Sequence, residues 1–411
     1  MCTVLDGDLE DEEKFMEALT IEPKSKNCLK CGTEDTSIVL RGKDSYCINC
    51  FQAAMDHKFR STLGKSRLLR HEDNVLIIYQ GGPEVSTMLK IIANGLNRKE
   101  RHKKFVFNSI ILYLEHGAIL NENIESRKIL ADKVQMELRD YGFPTYISSI
   151  SNTVGNDALL FDELNSSFFD NLSDEGIKNV LSKISTLSAQ QDFLNTAQRK
   201  LVLKIAKSLN CKFVFYPDIS VDIASKTLAG FALGRGSHIT MDVGFSDTRD
   251  PLVTILRPMR DFSREEITEF CKLNELKPIQ VKRFGDTGNL YSSIQNLADN
   301  FIGDLQMNFP STIYTVIRTA DKLTANDTTE MGTKCKFCLT PRDNLTAKGK
   351  VSALNAVEFS RIASKQSAKM ITSGSYDRPE IDGLEQNEFC HGCNLTLNDV
   401  SVPDSILEFI L

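Results

Sequence analysis

The 411 residues are 41% hydrophobic and 25% charged, with a formal net charge of −6. That is the composition of a soluble globular chain with room for two or three domains, and the negative balance argues against a surface basic all over for nucleic acid. No apolar run reaches the roughly 18 residues that a membrane helix needs, so no membrane contact is expected.

Residues 1–26 are polar and acidic and read as a disordered tail. With no apolar core this start is neither a secretory signal nor a mitochondrial presequence, which predicts a cytoplasmic chain with reduced cysteines. Two C-x-x-C pairs follow, Cys28/Cys31 and Cys47/Cys50, with 15 residues between them. Four thiolates at this spacing predict a zinc ribbon. Between the pairs, SIVLRGKDSY alternates like a short hairpin. Residues 53–70 predict a basic amphipathic helix, and Lys58, Arg60, Lys65, Arg67 and Arg70 are its candidates for contacting nucleic-acid phosphates. The plainer reading of this run, and of a second one at 98–104, is a solvated face.

From residue 74 the pattern becomes strand, turn, helix, repeated. Strands are predicted at 75–80, 107–115, 145–150, 212–218 and 251–258. Helices are predicted from Ser86 to Leu96 and over 126–142, 196–210, 223–233 and 263–276. The last opens with a capping box, Ser263 and Glu266. Residues 151–186, rich in Asn, Ser and Asp, read as an insertion or mobile connection. Residues 291–323 read as helix interrupted at Phe309-Pro310, and 341–389 as polar and loop-like. Alternating strands and helices predict an α/β fold, a parallel Rossmann-like sheet covered on both faces with its ligand site beyond the carboxyl ends of the strands.

The first strand runs into Gly81-Gly82 and then a helix. Such a turn either cradles a phosphate on backbone N–H groups or is simply tight. The loop resembles that of the PP-loop ATP pyrophosphatases, S-G-G-x-D-S, a fold of the adenine-nucleotide α-hydrolase type. Gly81 and Gly82 match. Gln80 and Val85 stand where the resemblance has serines, and Glu84 where it has aspartate. Two hydroxyl donors are lost, so ATP is not expected to be held well. Ser86 and Thr87 are candidates to compensate. Of the family's later G-H-N-x-x-D-x-A-E-T pattern, Asp222, Ala224 and Thr227 remain, making Asp222 a further nucleotide candidate.

Two more pairs, Cys335/Cys338 and Cys390/Cys393, close the chain with 51 residues between them. Doubling a loop adds only about 0.6 kcal/mol of closure cost, so a single four-thiolate site is feasible. Alternatively, another group such as His391 or a partner residue completes each pair. An iron–sulfur cluster is the other option at either set. The domains expected are the tail 1–26, a ribbon and helix 27–70, the α/β domain 71–325 and a cysteine module 326–411.

In this order, C-L-K-C…C-I-N-C, His57-Lys58-Phe59-Arg60…Leu63-Gly64-Lys65, Gly81-Gly82-Pro83, Leu233-Gly234-Arg235-Gly236, Gly244-Phe245-Ser246-Asp247, Arg257-Pro258-Met259-Arg260-Asp261, Phe309-Pro310-Ser311-Thr312 and the terminal cysteines resemble the cytoplasmic tRNA 2-thiolation protein 2 family, from about residue 27 to 395. The resemblance implies a heterodimer with the paralogous tRNA 2-thiolation protein 1. It implies 2-thiolation of wobble uridine-34 in the lysine, glutamine and glutamate tRNAs, with sulfur from a thiocarboxylated ubiquitin-like carrier. The degenerate loop, and a core holding only Cys211 and Cys271, imply a structural, tRNA-binding subunit beside a catalytic paralogue. The alternatives are an autonomous adenylating thiouridylase and a zinc-ribbon adaptor without tRNA contact.

Overall fold

A computed structural model describes residues 27–34, 36–41, 44–99, 104–154, 161–286, 289, 291–323, 334–341, 360–361 and 388–400. The expected acidic tail and most of the polar stretch 341–389 lie outside the described residues.

The ribbon hairpin forms as its alternation predicts: β1 (Ile38–Leu40) pairs antiparallel with β2 (Asp44–Tyr46). Helix α1 (Ile48–Ser66) begins inside the second cysteine pair, earlier than expected. Phe51, Met55, Phe59 and Leu63 recur every fourth residue and are buried. They join the core that also holds Val75, Ile77 and Ile91. Ribbon helix and α/β domain therefore share one core across the boundary expected at residue 70.

The α/β elements then follow in order: β3 (Asn74–Tyr79), α2 (Pro83–Leu96), β4 (Asn108–Glu115), α3 (Ile124–Arg139), β5 (Thr145–Ser149), β6 (Asp162–Glu163), α4 (Glu175–Ser182), α5 (Leu187–Ser208), β7 (Phe213–Phe215), α6 (Ser220–Ala232), α7 (Ile239–Val243), β8 (Ser246–Asp247), β9 (Thr254–Leu256) and α8 (Arg264–Leu273). The sheet order is β6-β5-β4-β3-β7-β9-β8. Its five inner strands are parallel and its two edge strands antiparallel. β3 is buried on both faces from Val75 to Tyr79, which is why it reads as a continuous apolar run.

The expected capping box closes α8: Ser263 Oγ accepts from Glu266 N at 3.2 Å, and Glu266 Oε2 accepts from Ser263 N at 2.8 Å. Other boundaries differ from expectation. α5 starts at Leu187 because Thr186 Oγ1 caps it, accepting from Ala189 N. β9 is shorter than expected because Asp250 Oδ1 accepts from the N–H groups of Leu252 and Val253, turning the chain before the strand. Of the stretch 151–186, read as an insertion or mobile connection, the described residues carry two 3-10 turns and α4, and Arg127 ties them to the sheet. Arg127, 1% exposed, donates to Glu115 at 2.9 and 2.8 Å and to Asp174 at 2.5 Å.

Helices α9 (Ile294–Asn308) and α10 (Pro310–Lys322) break at Phe309-Pro310 as expected, proline taking the first helical position. The C-terminal cysteines precede and enter α11 (His391–Asn398), and with Phe337 and Phe389 they pack on Ile177 and Phe193. No helix among the described residues is long and apolar enough to cross a membrane.

Candidate functional site

The parallel strands end at a cavity of about 590 Å³, where the fold class places a ligand. Gln80 and Gly81 reach it from β3, His116 from β4, Tyr216 and Asp218 from β7, and Arg257 from β9.

The glycine turn has its expected backbone. Gly81 and Gly82 sit at φ +75° and +91°, which glycine adopts without strain, and α2 starts at the next residue. Its concave side, however, is filled. Gly82 N–H donates to Ile279 O at 2.8 Å. A Cβ on Gly81 would lie 2.5 Å from Val281 Cγ2 and 2.8 Å from Ile279 O. The chain at 279–281 therefore lies against the loop backbone, and the Gly82 N–H is already bonded. Glu137 fastens it there: Oε2 accepts from Ile279 N at 3.2 Å and from the Tyr79 hydroxyl at 2.6 Å, while Oε1 accepts from Ser86 Oγ at 2.5 Å.

Ser86 and Thr87 are the candidates to replace the missing hydroxyls. Both lie on the buried side of α2 and neither lines the cavity. Ser86 is engaged with Glu137, and Thr87 Oγ1 is 3.3 Å from Cys271 Sγ. Gly82 also falls outside the lining, whereas Gly81, Glu84 and Asp222 belong to it. Asp222 Oδ2 accepts from Ile219 N at 3.0 Å. Burial, and then the charge of Asp218, push its carboxyl up to about 6. An anionic Glu84 beside a covered loop is poor company for a polyphosphate.

The other wall is a lattice of ion pairs. Asp218 meets Lys226 at 2.7 Å and Arg257 at 3.4 Å. Asp247 meets Arg249 at 2.7 Å and Arg199 at 2.9 Å. Burial alone would raise the Asp247 carboxyl, but Arg249 and Arg199 hold it well below the usual carboxylate range.

Each cysteine set converges. Within each, all four Sγ atoms lie within 4.8 Å of one another. Cys31 and Cys47 are 3.7 Å apart and Cys338 and Cys390 3.5 Å. Thiolates sharing one tetrahedral ion at about 2.3 Å stand just under 4 Å apart. Those of a four-iron cluster bind different irons and stand farther apart. The donor sets thus fit a single ion each, and the two C-terminal pairs make one site. His391, the alternative ligand, is not among the four. The N-terminal set is partly exposed, and the backbone N–H groups of Cys47 and Cys31 hold the Cys28 thiol down at about 6. The C-terminal set is fully buried.

One feature of the C-terminal set was not expected from sequence. Arg235 donates to Cys393 Sγ from Nη1 and Nη2, at 3.8 and 3.7 Å, and grips Asp192 at 2.8 and 2.5 Å. Thr396 Oγ1 donates to the same carboxylate at 2.5 Å. Glycines on both sides allow the close approach: Gly234, at φ +71°, lies where a Cβ would be 2.8 Å from Leu395, and Gly392, on the cysteine side, where one would be 2.6 Å from Arg235 Cγ. Arg235, Asp192 and Cys338 all line the cavity, so the metal set forms part of its wall.

The basic residues of α1 do not act as a group. Lys58 donates to both Glu266 oxygens, at 2.8 and 2.7 Å, and lies over the Phe262 ring. It is thereby occupied in docking α1 on α8. Arg60 Nε donates to Asp56 O. Lys65, Arg67 and Arg70 are exposed at the end of α1 and just beyond. Cys211, between α5 and β7, and Cys271, on α8, are buried single thiols, and burial pushes Cys211 up to about 11.

A family model described as cytoplasmic tRNA 2-thiolation protein 2 matches residues 293–395. The protein of that name from Anopheles gambiae is 30% identical over 428 residues, covering 98% of this chain and all of its own length. Its namesake from Xenopus tropicalis is 28% identical, over 98% of this chain and 94% of its own. Among solved structures, the U34-tRNA thiolase NcsA from Methanococcus maripaludis, determined with its [4Fe-4S] cluster, superposes with a TM-score of 0.57 at 16% identity, covering 87% of this chain and 100% of that one. At that identity the likeness establishes a shared fold.

Proposed function

The chain belongs to the cytoplasmic tRNA 2-thiolation protein 2 family, and on that premise we propose that it is the non-catalytic, tRNA-binding subunit of a cytoplasmic enzyme that 2-thiolates wobble uridine-34. Its partner in this reading is the paralogous tRNA 2-thiolation protein 1, which carries out the chemistry on the lysine, glutamine and glutamate tRNAs. Sulfur comes from a thiocarboxylated ubiquitin-like carrier. Zinc, one ion in each cysteine set, holds the two ends of the fold.

The observation that carries the reading is the bond from Gly82 N–H to Ile279 O. Adenylation needs the loop's N–H groups turned toward a pyrophosphate. Here the chain's own carbonyl takes that place, and the family's loop serines are Gln80 and Val85. A sulfur relay needs thiols that can meet, whereas Cys211, between α5 and β7, and Cys271, on α8, are buried singly. Lys65, Arg67 and Arg70 remain exposed to contact phosphates.

The test is a reconstituted thiolation assay on lysine tRNA with ATP and a sulfur donor, run with this chain, with the paralogue and with both. Activity that requires the pair, with no tight ATP binding by this chain alone, is the expected result. Thiolation by this chain alone overturns the proposal. Metal analysis of the purified chain is expected to find zinc. Iron with visible cluster absorbance would replace that assignment.

A further inference from the structure

Among the described residues, three side chains lining the cavity carry a buried polar atom with neither a hydrogen-bond nor an ion-pair partner: Gln191, Arg199 and Gln295. Buried polar groups are nearly always satisfied, so several orphans around one cavity call for a ligand.

Arg199 is the plainest case. Its Nε donates to Asp247 Oδ2 at 2.9 Å, which fixes the guanidinium, yet among the described residues neither Nη1 nor Nη2 has an acceptor.

Gln191 and Gln295 have the opposite need. Gln191 Nε2 donates to Phe284 O and Asn296 Oδ1, and Gln295 Nε2 donates to Ser188 O. Their amide nitrogens are thus assigned, and no donor among the described residues reaches either carbonyl oxygen.

We propose that the cavity binds a small ligand bearing an oxyanion, carboxylate or phosphate, held on the Nη edge of Arg199, and N–H groups that donate to Gln191 and Gln295. A guanidinium edge takes either oxyanion with two parallel bonds. The position differs from a nucleotide site at the glycine loop. Asp247, which holds Arg199, lies on β8, three places along the sheet from β3 and its covered turn. The inference concerns this chain alone and stands whether or not the proposed thiolation complex does.

The test is calorimetric titration of the full chain at low ionic strength with inorganic phosphate, acetate and N-acetylglycine, which joins a carboxylate to one amide N–H. At least one simple oxyanion is expected to saturate a single site. Tighter phosphate identifies a phosphate ligand and tighter acetate a carboxylate. N-acetylglycine is expected to bind more tightly than acetate, an advantage that Gln295→Leu removes while simple-oxyanion affinity stays the same. Arg199→Lys keeps a cation for Asp247 but loses the planar fork, and is expected to weaken binding about tenfold. If neither oxyanion saturates the wild-type chain, or if Arg199→Lys binds as tightly as wild type, the proposal fails. Should that variant not fold, the wild-type titrations and Gln295→Leu decide.

Discussion

Arg235 and Cys393 stand 158 positions apart in sequence, yet the guanidinium reaches the cysteine sulfur with both terminal nitrogens. Outer-shell donors of this kind fix a metal ligand and temper its charge, and losing one typically costs about 10–100-fold in metal affinity. Arg235→Lys is therefore expected to speed chelator-driven metal release from the C-terminal set by about that factor. Release from the N-terminal set should not change. Equal release rates in wild type and variant would show that Arg235 only packs there.

Asp222 gives a pH dependence of definite sign. Its folded carboxyl is raised to about 6, above the ordinary value. Between about pH 4 and 6 the native state therefore holds the proton more tightly than the unfolded chain, and stability falls as pH rises through that window. The cost is complete above about pH 6. Asp222→Asn removes it, and is expected to raise stability by about 1–3 kcal/mol at neutral pH. The gain should shrink toward pH 4. Denaturant melts at three pH values check this, and a gain independent of pH would contradict it.

Arg127 is the most deeply buried cation that the fold depends on. Arg127→Met would leave Glu115, 2% exposed, as an unpaired buried carboxylate and release Asp174 from the sheet. Breaking such a pair from one side costs about 3–5 kcal/mol. Urea unfolding is expected to show that loss, with hydrogen exchange rising first in α4.

The basic residues of α1 separate by experiment. Reversing Lys65, Arg67 and Arg70 to glutamate should weaken tRNA binding and flatten its salt dependence, since each lost phosphate contact removes about 0.7–0.9 from the log–log slope. Lys58→Glu should instead lower stability, because it sets a second carboxylate against Glu266. Unchanged tRNA affinity in the triple reversal would favour an adaptor without tRNA contact.

Cys211 and Cys271 should stay unmodified when the folded chain is alkylated at mildly alkaline pH. Burial raises both thiols and removes them from solvent. Rapid labelling of either would reopen a role in sulfur transfer.

The sequence was most informative where the signal was local. The hairpin at Ile38–Tyr46, the apolar run of β3, the Ser263–Glu266 box and the Phe309-Pro310 break all follow from neighbours within a few residues. Edge strands β6 and β8 have two residues each, too few to show a period. The site was harder to read because its decisive contacts are remote. Nothing near Gly82 reveals that Ile279 will cover it, and nothing near Arg235 names Cys393. Ser86 and Thr87 were placed at the loop by proximity, but the helical turn carries their side chains to the buried face. One clue was present: Gly234, next to Arg235, marks a close approach, although not its partner.

The covered glycine turn changes what a substitution there would mean. A Cβ on Gly81 would collide with Val281, Val85 is fully buried, and Ser86 and Tyr79 share Glu137 with Ile279. In an open turn of this shape, a new side chain is felt first by the incoming ligand. Here it is felt first by the neighbouring peptide. A screen of this turn that scores only catalysis would rank its variants by how much folded protein survives, and would mistake a hinge pin for an active site.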